Sequence, residues 1–244
     1  MKILGLDCGT KNLGFAVVEF EHMWKTKLEQ VVQLRESGKL AEHAQSLLQL
    51  YKNLLQLKHA GKFDLLPNQK MRESTALERA ARLKGVLTQM DSQFGPFDLV
   101  LVEYQMGPNN KAQDISSQII MHYSTPDFNN TAIDVVANSK STSGKQNNEQ
   151  NNKTKLSTIK IKIVGPSLKN SIWIGADGEY INFIRKYNNT YTANKAHTVY
   201  NFETYCKLFD VQLAKIKKSD MRDAADAFMM ILAKGFAFES TRSA

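Results

Sequence analysis

Cysteine is scarce in this chain, with only Cys8 and Cys206 among 244 residues. So few thiols exclude a disulfide framework and a cysteine-rich zinc site. The five histidines, at positions 22, 43, 59, 122 and 197, lack the spacing of zinc ligands. No segment approaches the roughly 18 consecutive apolar residues that cross a membrane, and no basic and then apolar leader opens the chain. We therefore expect an intracellular protein of a reducing compartment, without a membrane partner.

The composition is that of a globular protein, with 42% hydrophobic and 23% charged residues. A chain of this length can bury a sizeable core, so we expect a single domain over residues 1–244. One stretch differs from the rest. Residues 140–153 contain no apolar side chain and are rich in Asn, Lys and Ser. Such a segment cannot offset the entropy lost on ordering, which predicts a disordered insert at about 138–158.

The net charge of +8 is concentrated in one part of the chain. Residues 153–218 hold 12 Lys or Arg and 4 Asp or Glu, whereas the remainder holds 20 of each sign. Localised positive charge favours a polyanionic partner whose attraction weakens as salt rises. A solvated lysine-rich surface would have the same composition, so charge alone does not decide between these interpretations.

Hydrophobic periodicity predicts strands separated by helices, and hence an α/β fold with a mixed sheet. The first two strands, 2–7 and 15–20, are joined by so short a loop that they must be antiparallel. Further strands are predicted at 97–103 and 159–164, with a weaker pattern at 27–34. Predicted helices cover 42–57, 73–94, 112–123, the later part of 180–209, and 219–234 with Ser219 as N-cap and Gly235 as the C-terminal stop.

Four carboxylates lie in the segments that are most clearly predicted as strands or helices. Asp7 and Glu103 each end an apolar strand, where an unpaired acid is costly to bury. Asp223 and Asp226 are three residues apart and share one face of the last helix. A divalent cation turns such a like-charge cluster into a favourable one. The set therefore suggests a metal-dependent nuclease, with Asp220 in the helix's first turn as a rival ligand.

The order strand-Asp, strand-Glu, helix-Asp-x-x-Asp resembles the RuvC-type branch of the ribonuclease H-like nucleases. More narrowly, it resembles the Holliday junction resolvases of poxviruses and other large DNA viruses. Three segments carry the resemblance: Gly5-Leu6-Asp7-Cys8-Gly9-Thr10-Lys11-Asn12, then Leu101-Val102-Glu103-Tyr104-Gln105, and finally Lys217-Lys218 followed by Asp223-Ala224-Ala225-Asp226.

The resemblance implies a ribonuclease H-like mixed sheet, antiparallel in its first strands and then parallel, with helices on both faces. It implies that Asp7, Glu103, Asp223 and Asp226 are catalytic and bind two Mg²⁺ ions, with Mn²⁺ as a substitute. It also implies a homodimer that resolves four-way DNA junctions by paired hydrolysis during viral recombination or replication, in a cytoplasmic virus factory. Which lysine assists is left open; the candidates for DNA binding or transition-state stabilisation are Lys169, Lys215, Lys217 and Lys218.

Two other functions remain compatible with parts of the sequence. Asp-x-Gly-Thr also opens the phosphate-binding fold of actin-like and sugar-kinase-like ATPases, although their second Asp-Gly-Gly motif has only a poor counterpart at Gly175-Ala176-Asp177-Gly178. A non-catalytic protein that binds branched DNA would use the basic segment alone. That second alternative gives no reason for acids at the ends of buried strands.

Overall fold

A computed structural model describes residues 1–21, 49, 52, 55–67, 73–104, 110–124, 159–166, 168–170, 182–183, 185–211 and 216–237. Five strands form one sheet in the order β3-β2-β1-β4-β5: β1 Lys2–Cys8, β2 Asn12–Phe20, β3 Leu55–Asp64, β4 Leu99–Glu103 and β5 Lys160–Val164. The β1–β2 and β2–β3 pairs are antiparallel, whereas β1–β4 and β4–β5 are parallel. The predicted mixed sheet, antiparallel first and then parallel, is confirmed.

Helices cover both faces of this sheet, again as predicted. They are α1 Ala76–Phe94, α2 Asn110–Ser124, α3 Thr190–Leu208 and α4 Met221–Ala237. Alternate strand residues point to opposite faces, so Leu4 and Leu6 pack with α1 and α2 while Ile3 packs with α3 and α4. Each face thus has its own buried apolar cluster. Among the described residues, no helix has the length and apolarity that a membrane span requires.

The α1 helix begins at Ala76, close to the predicted start at 73, and a capping box precedes it. Thr75 accepts a hydrogen bond from the backbone N–H of Glu78, and the Glu78 carboxylate accepts one from the backbone N–H of Thr75. This reciprocal pair satisfies two backbone donors that a helix start would otherwise leave free. The helix ends before Gly95, and the chain then enters β4 towards Glu103.

The α4 helix lies unusually close to the sheet because small residues line both surfaces. A Cβ at Gly5 of β1 would stand 2.7 Å from the carbonyl oxygen of Ala227, which real side chains do not tolerate. At Gly14 of β2 it would collide with the carbonyl oxygen of Asp223. Ala224 is fully buried in the same contact region. The close approach brings the acidic turn of α4 next to the end of β1.

Several element boundaries differ from the sequence prediction. Leu55 and Leu57, predicted as the end of a helix over 42–57, belong to β3, because residues two apart share a face and β2 supplies backbone partners. The last helix starts at Met221 instead of after Ser219, and it runs through Gly235 to Ala237. A helical glycine costs only about 1 kcal/mol, which the buried α4 packing outweighs. The predictions for 27–34 and 138–158 lie outside the described residues.

Candidate functional site

Asp7 and Glu103 lie side by side because they end neighbouring parallel strands. Leu6 of β1 pairs with Val102 of β4, and each acid is the next residue along. Both side chains are removed from water, with Asp7 9% and Glu103 2% exposed. The two carboxyl groups hydrogen bond to each other. This is the carboxyl edge of the parallel strands, where α/β sheets usually carry their sites.

A lysine from beyond β5 inserts between these acids and the last helix. Lys169 lies in a short 3-10 helix, Leu168–Asn170, and is itself buried. Its Nζ is 3.5 Å from Asp7 Oδ1, 3.1 Å from the Glu103 carboxylate and 3.0 Å from Asp226 Oδ2. Three acids from three separate elements therefore converge on one ammonium group. Lys169 is one of the four lysines that the sequence nominates.

The fourth predicted acid, Asp223, lies one turn before Asp226 at the edge of this cluster. Asp226 is 1% exposed, whereas Asp223 is half-buried. Gly14 pairs with Asp7 across β1 and β2, and it also lies under the Asp223 carbonyl. Burial and the negative charges of Asp7 and Asp226 raise the pKa of Asp223, although Lys62 and Lys195 oppose the shift. The structure thus places all four predicted acids in one region.

Asp7 and Glu103 shift each other's pKa in opposite directions. Burial, together with the hydrogen bond to Asp7 and its charge, raises the pKa of Glu103 to about 9, although Lys169 opposes the change. Burial also acts to raise the pKa of Asp7, but the hydrogen bond from Glu103 and the nearby lysines outweigh it and lower that pKa. Near neutral pH, protonated Glu103 therefore donates a hydrogen bond to ionised Asp7.

The same acids keep Lys169 charged. Burial alone would lower the pKa of its ammonium group, but Asp7, Asp226 and Glu103 outweigh that effect and raise it. A buried lysine normally loses its charge unless acids surround it. The site therefore holds a fixed cation at the meeting point of its carboxylates.

Two residues of α3 that were not predicted from the sequence contact Asp226. Thr198 donates a hydrogen bond to Asp226 Oδ1 at 2.6 Å, and Lys195 forms an ion pair with Oδ2. The sequence contains a weak indication of their role. Thr198 belongs to a run of polar residues on α3, with His197 and Asn201, that is fully buried among apolar ones. A buried polar stripe on a helix indicates specific partners instead of simple core packing.

The remaining candidates lie apart from the acid cluster or outside the described residues. Lys217 and Lys218 are exposed in the turn before α4, and Lys215 is not among the described residues. Asp220 precedes α4 instead of lying in its first turn, and it pairs with Lys62 at 3.0 Å. Burial would raise the pKa of Asp220, but hydrogen bonds from Ser219 and Lys62 lower it. These contacts pair Asp220 with β3, whereas Asp7, Glu103 and Asp226 pair with Lys169.

The donor set fits a hard divalent cation. All the acidic ligands are carboxylate oxygens, which Mg²⁺ and Mn²⁺ prefer. As placed, no three His, Cys, Asp or Glu side chains in the described part of the chain already form a metal cage. Instead the Lys169 ammonium occupies the point on which Asp7, Glu103 and Asp226 converge. The carboxylates thus already surround a positive charge, which a metal ion would replace if the lysine moved.

No protein-family model and no curated protein matches this chain. Among solved structures, it is similar to Thermus thermophilus RuvC in complex with a Holliday junction substrate. That match has a TM-score of 0.48 and 13% identity, over 99% of this chain and 97% of that one. It is also similar to the fowlpox virus Holliday junction resolvase, with a TM-score of 0.47 and 14% identity, over 98% and 99%. An activity depends on the residues of a site and not on a fold alone.

Proposed function

We propose that this protein is a metal-dependent, structure-specific DNA endonuclease that resolves four-way junctions by paired phosphodiester hydrolysis. One observation carries the proposal: Asp7, Glu103 and Asp226, from three different elements, converge within 3.5 Å of a single buried cation. Burying several acids together is costly, and proteins that do so generally use the cluster for a cation or for catalysis. The resemblance of the chain to viral junction resolvases extends the proposal to DNA recombination or replication of a large DNA virus.

Asp7, Glu103 and Asp226 would hold the metal, with Asp223 at the edge completing the set. When bound, two Mg²⁺ ions, or Mn²⁺ in their place, would supply an activated water and stabilise the departing oxygen of the phosphodiester. Binding requires Glu103 to release its proton, because only the ionised carboxylate is a good ligand. Release of that proton couples metal affinity to pH.

Lys169 would take up a second position once the carboxylates bind a metal ion. Its ammonium is buried, charged and attached to a four-carbon stem that can swing by several ångströms. From the edge of the acid cluster it can reach a DNA phosphate and stabilise the negative charge that develops there. Among the nominated lysines that the structure describes, we assign this role to Lys169, because its ammonium contacts three of the acids.

The basic segment supplies the attraction to DNA. The surplus of positive charge over 153–218 includes the exposed Lys217 and Lys218, in the turn that leads into α4. Contacts of this kind neutralise phosphates, so binding should weaken steeply with salt. A four-way junction has two-fold symmetry, and a homodimer would place one site on each of two opposing strands. We include that homodimer in the proposal.

The test uses a synthetic four-way junction with purified full-length protein. Mg²⁺ should produce symmetrically paired nicks, and a chelator should stop cutting. The variants Asp7→Asn and Glu103→Gln should lose cutting by at least about a hundredfold while retaining junction binding. Asp220→Asn is the matched control, because this acid pairs with Lys62 and should not affect the rate.

Three outcomes would overturn the proposal. If both acid variants still cut, the acids have been assigned wrongly. If the protein hydrolyses ATP and leaves branched and linear DNA intact, an actin-like or sugar-kinase-like ATPase is the better interpretation. Binding of the junction without cutting, whichever divalent ion is added, would favour the non-catalytic alternative.

A further inference from the structure

The carboxylate of Asp226 is contacted at both oxygens by residues from other elements. Oδ1 accepts a hydrogen bond from Thr198 at 2.6 Å, whereas Oδ2 pairs with Lys195 and, at 3.0 Å, with Lys169. Thr198 is 0% and Asp226 1% exposed, so water does not compete for the hydrogen bond between them. The orientation of this carboxylate is therefore set by the protein.

The partners of the two oxygens differ in how firmly they are held. Thr198 is β-branched and stiff, and its hydroxyl also lies 3.1 Å from the carbonyl oxygen of Lys195 in the same helix. The ammonium groups on Oδ2 are carried by long side chains, and that of Lys195 is partly exposed. Oδ2 shares Lys169 with Asp7 and is thus the oxygen that faces the centre of the cluster.

Aromatic packing fixes the register between the two helices. The rings of Phe202 in α3 and Phe228 in α4 lie 5.2 Å apart, and those of Tyr205 and Phe228 lie 4.7 Å apart. Thr198 lies one helical turn before Phe202, and Asp226 lies two residues before Phe228. A shift of α3 along α4 would break this cluster, so the packing holds the hydroxyl opposite the carboxylate.

We propose that Thr198 is a positioning residue for Asp226, and that Lys195 is a displaceable counter-ion on the same carboxylate. The Thr198 hydroxyl holds Oδ1, which leaves Oδ2 turned towards a divalent ion. Lys195 balances the charge on Oδ2 until that ion replaces it. This inference rests on the proposed function, because it assigns Asp226 as a metal ligand.

The two contacts should have opposite effects on metal affinity. Thr198→Val removes the hydroxyl with little change of shape, so Asp226 is free to rotate and Mn²⁺ binding should weaken by about tenfold or more. Thr198→Ser keeps the hydroxyl and should bind Mn²⁺ within about twofold of the wild type. Lys195→Met removes a competitor for Oδ2, so its Mn²⁺ affinity should equal or exceed that of the wild type.

The experiment is a calorimetric titration of Mn²⁺ into the full chain without DNA, with thermal unfolding measured in parallel. Thr88→Val is the matched control, because the Thr88 hydroxyl donates to the Lys84 carbonyl oxygen at 3.0 Å in α1, which packs on the opposite face of the sheet from α3 and α4. This control makes the same chemical change in another helix. It should leave the affinity unchanged.

Each result is decisive. Wild-type affinity in Thr198→Val overturns the inference, and so does equal weakening in Thr198→Val and Lys195→Met, which would make α3 a general support. If Thr198→Val does not fold, Thr198→Ala is titrated under the same criteria. If the wild type binds no Mn²⁺, the proposed function fails and this inference fails with it. A wild type that binds Mn²⁺ and cuts junctions, beside an unaffected Thr198→Val, overturns this inference alone.

Discussion

The variant Glu103→Gln should remove a large part of the pH dependence of stability. Burial and the neighbouring Asp7 raise the pKa of Glu103 to about 9, so the folded protein keeps a proton there that the unfolded chain releases near its ordinary pKa of 4.5. Between these two values the folded state binds more protons, and stability therefore falls as pH rises. The glutamine amide resembles the protonated acid in its hydrogen bonding but cannot ionise.

The size of the effect follows from one proton. From about pH 6 to about pH 8, a single extra bound proton lowers the free energy of unfolding by about 3 kcal/mol. For a chain of this length that corresponds to a fall in Tm of roughly 6–12 °C. Other ionisable groups, such as the histidines, contribute equally in both proteins. We therefore expect the wild type to lose about this much more stability than Glu103→Gln between the two pH values.

The assay is urea unfolding of both proteins at both pH values, in the presence of a chelator. Parallel changes in the wild type and the variant would show that Glu103 is ionised in the folded protein, and would refute the raised pKa of Glu103. Adding Mg²⁺ provides a second measurement. If the acids bind a metal ion as proposed, that ion would displace the proton, so its stabilising effect on the wild type should grow with pH and reach about 2.7 kcal/mol at a hundredfold excess over Kd.

Further expectations concern the cation of the site, the helix contact and a helix cap. Without metal, Lys169→Met should lower the free energy of unfolding by roughly 3–5 kcal/mol, because it leaves buried acids unpaired, and Mg²⁺ should restore more stability in this variant than in the wild type. Gly14→Ala should push α4 off the sheet at Asp223 and lower Tm, whereas Gly85→Ala, with open space around it in α1, should raise stability by about 1 kcal/mol. Thr75→Ala should cost about 1 kcal/mol through loss of the capping box, measured by urea unfolding.

Local patterns were sufficient to predict the elements that carry the acids. A short apolar run that ends in an acid, as at Asp7 and Glu103, predicts a strand because burial and β-propensity both favour one. The polar residues 73–75, which precede an apolar stripe, predicted the start of α1 to within three residues in the same way. Parallel strands end at one edge, which explains why acids so distant in sequence meet there.

Other features depend on pairings that one sequence does not show. The strand β3 was missed because Leu55 and Leu57 continue a leucine-rich stretch, and only the partner β2 selects the extended form. Thr198 and Lys195 were missed because their role depends on the packing of α3 against α4. The resemblance left four lysines as equal candidates, and only the packing of the segment after β5 shows that Lys169 lies beside the acids.

The separation of the acids along the chain bears on how the protein is made. Asp7 belongs to the first strand, whereas Asp226 lies about 220 residues later, in a helix that packs on that strand through Gly5. Long-range contacts of this kind form late, after most of the chain has emerged from the ribosome. A nascent or prematurely terminated chain lacking α4 would therefore carry Asp7 and Glu103 without a complete acid cluster. Synthesis itself would then delay any cutting activity until the sheet and its last helix have come together.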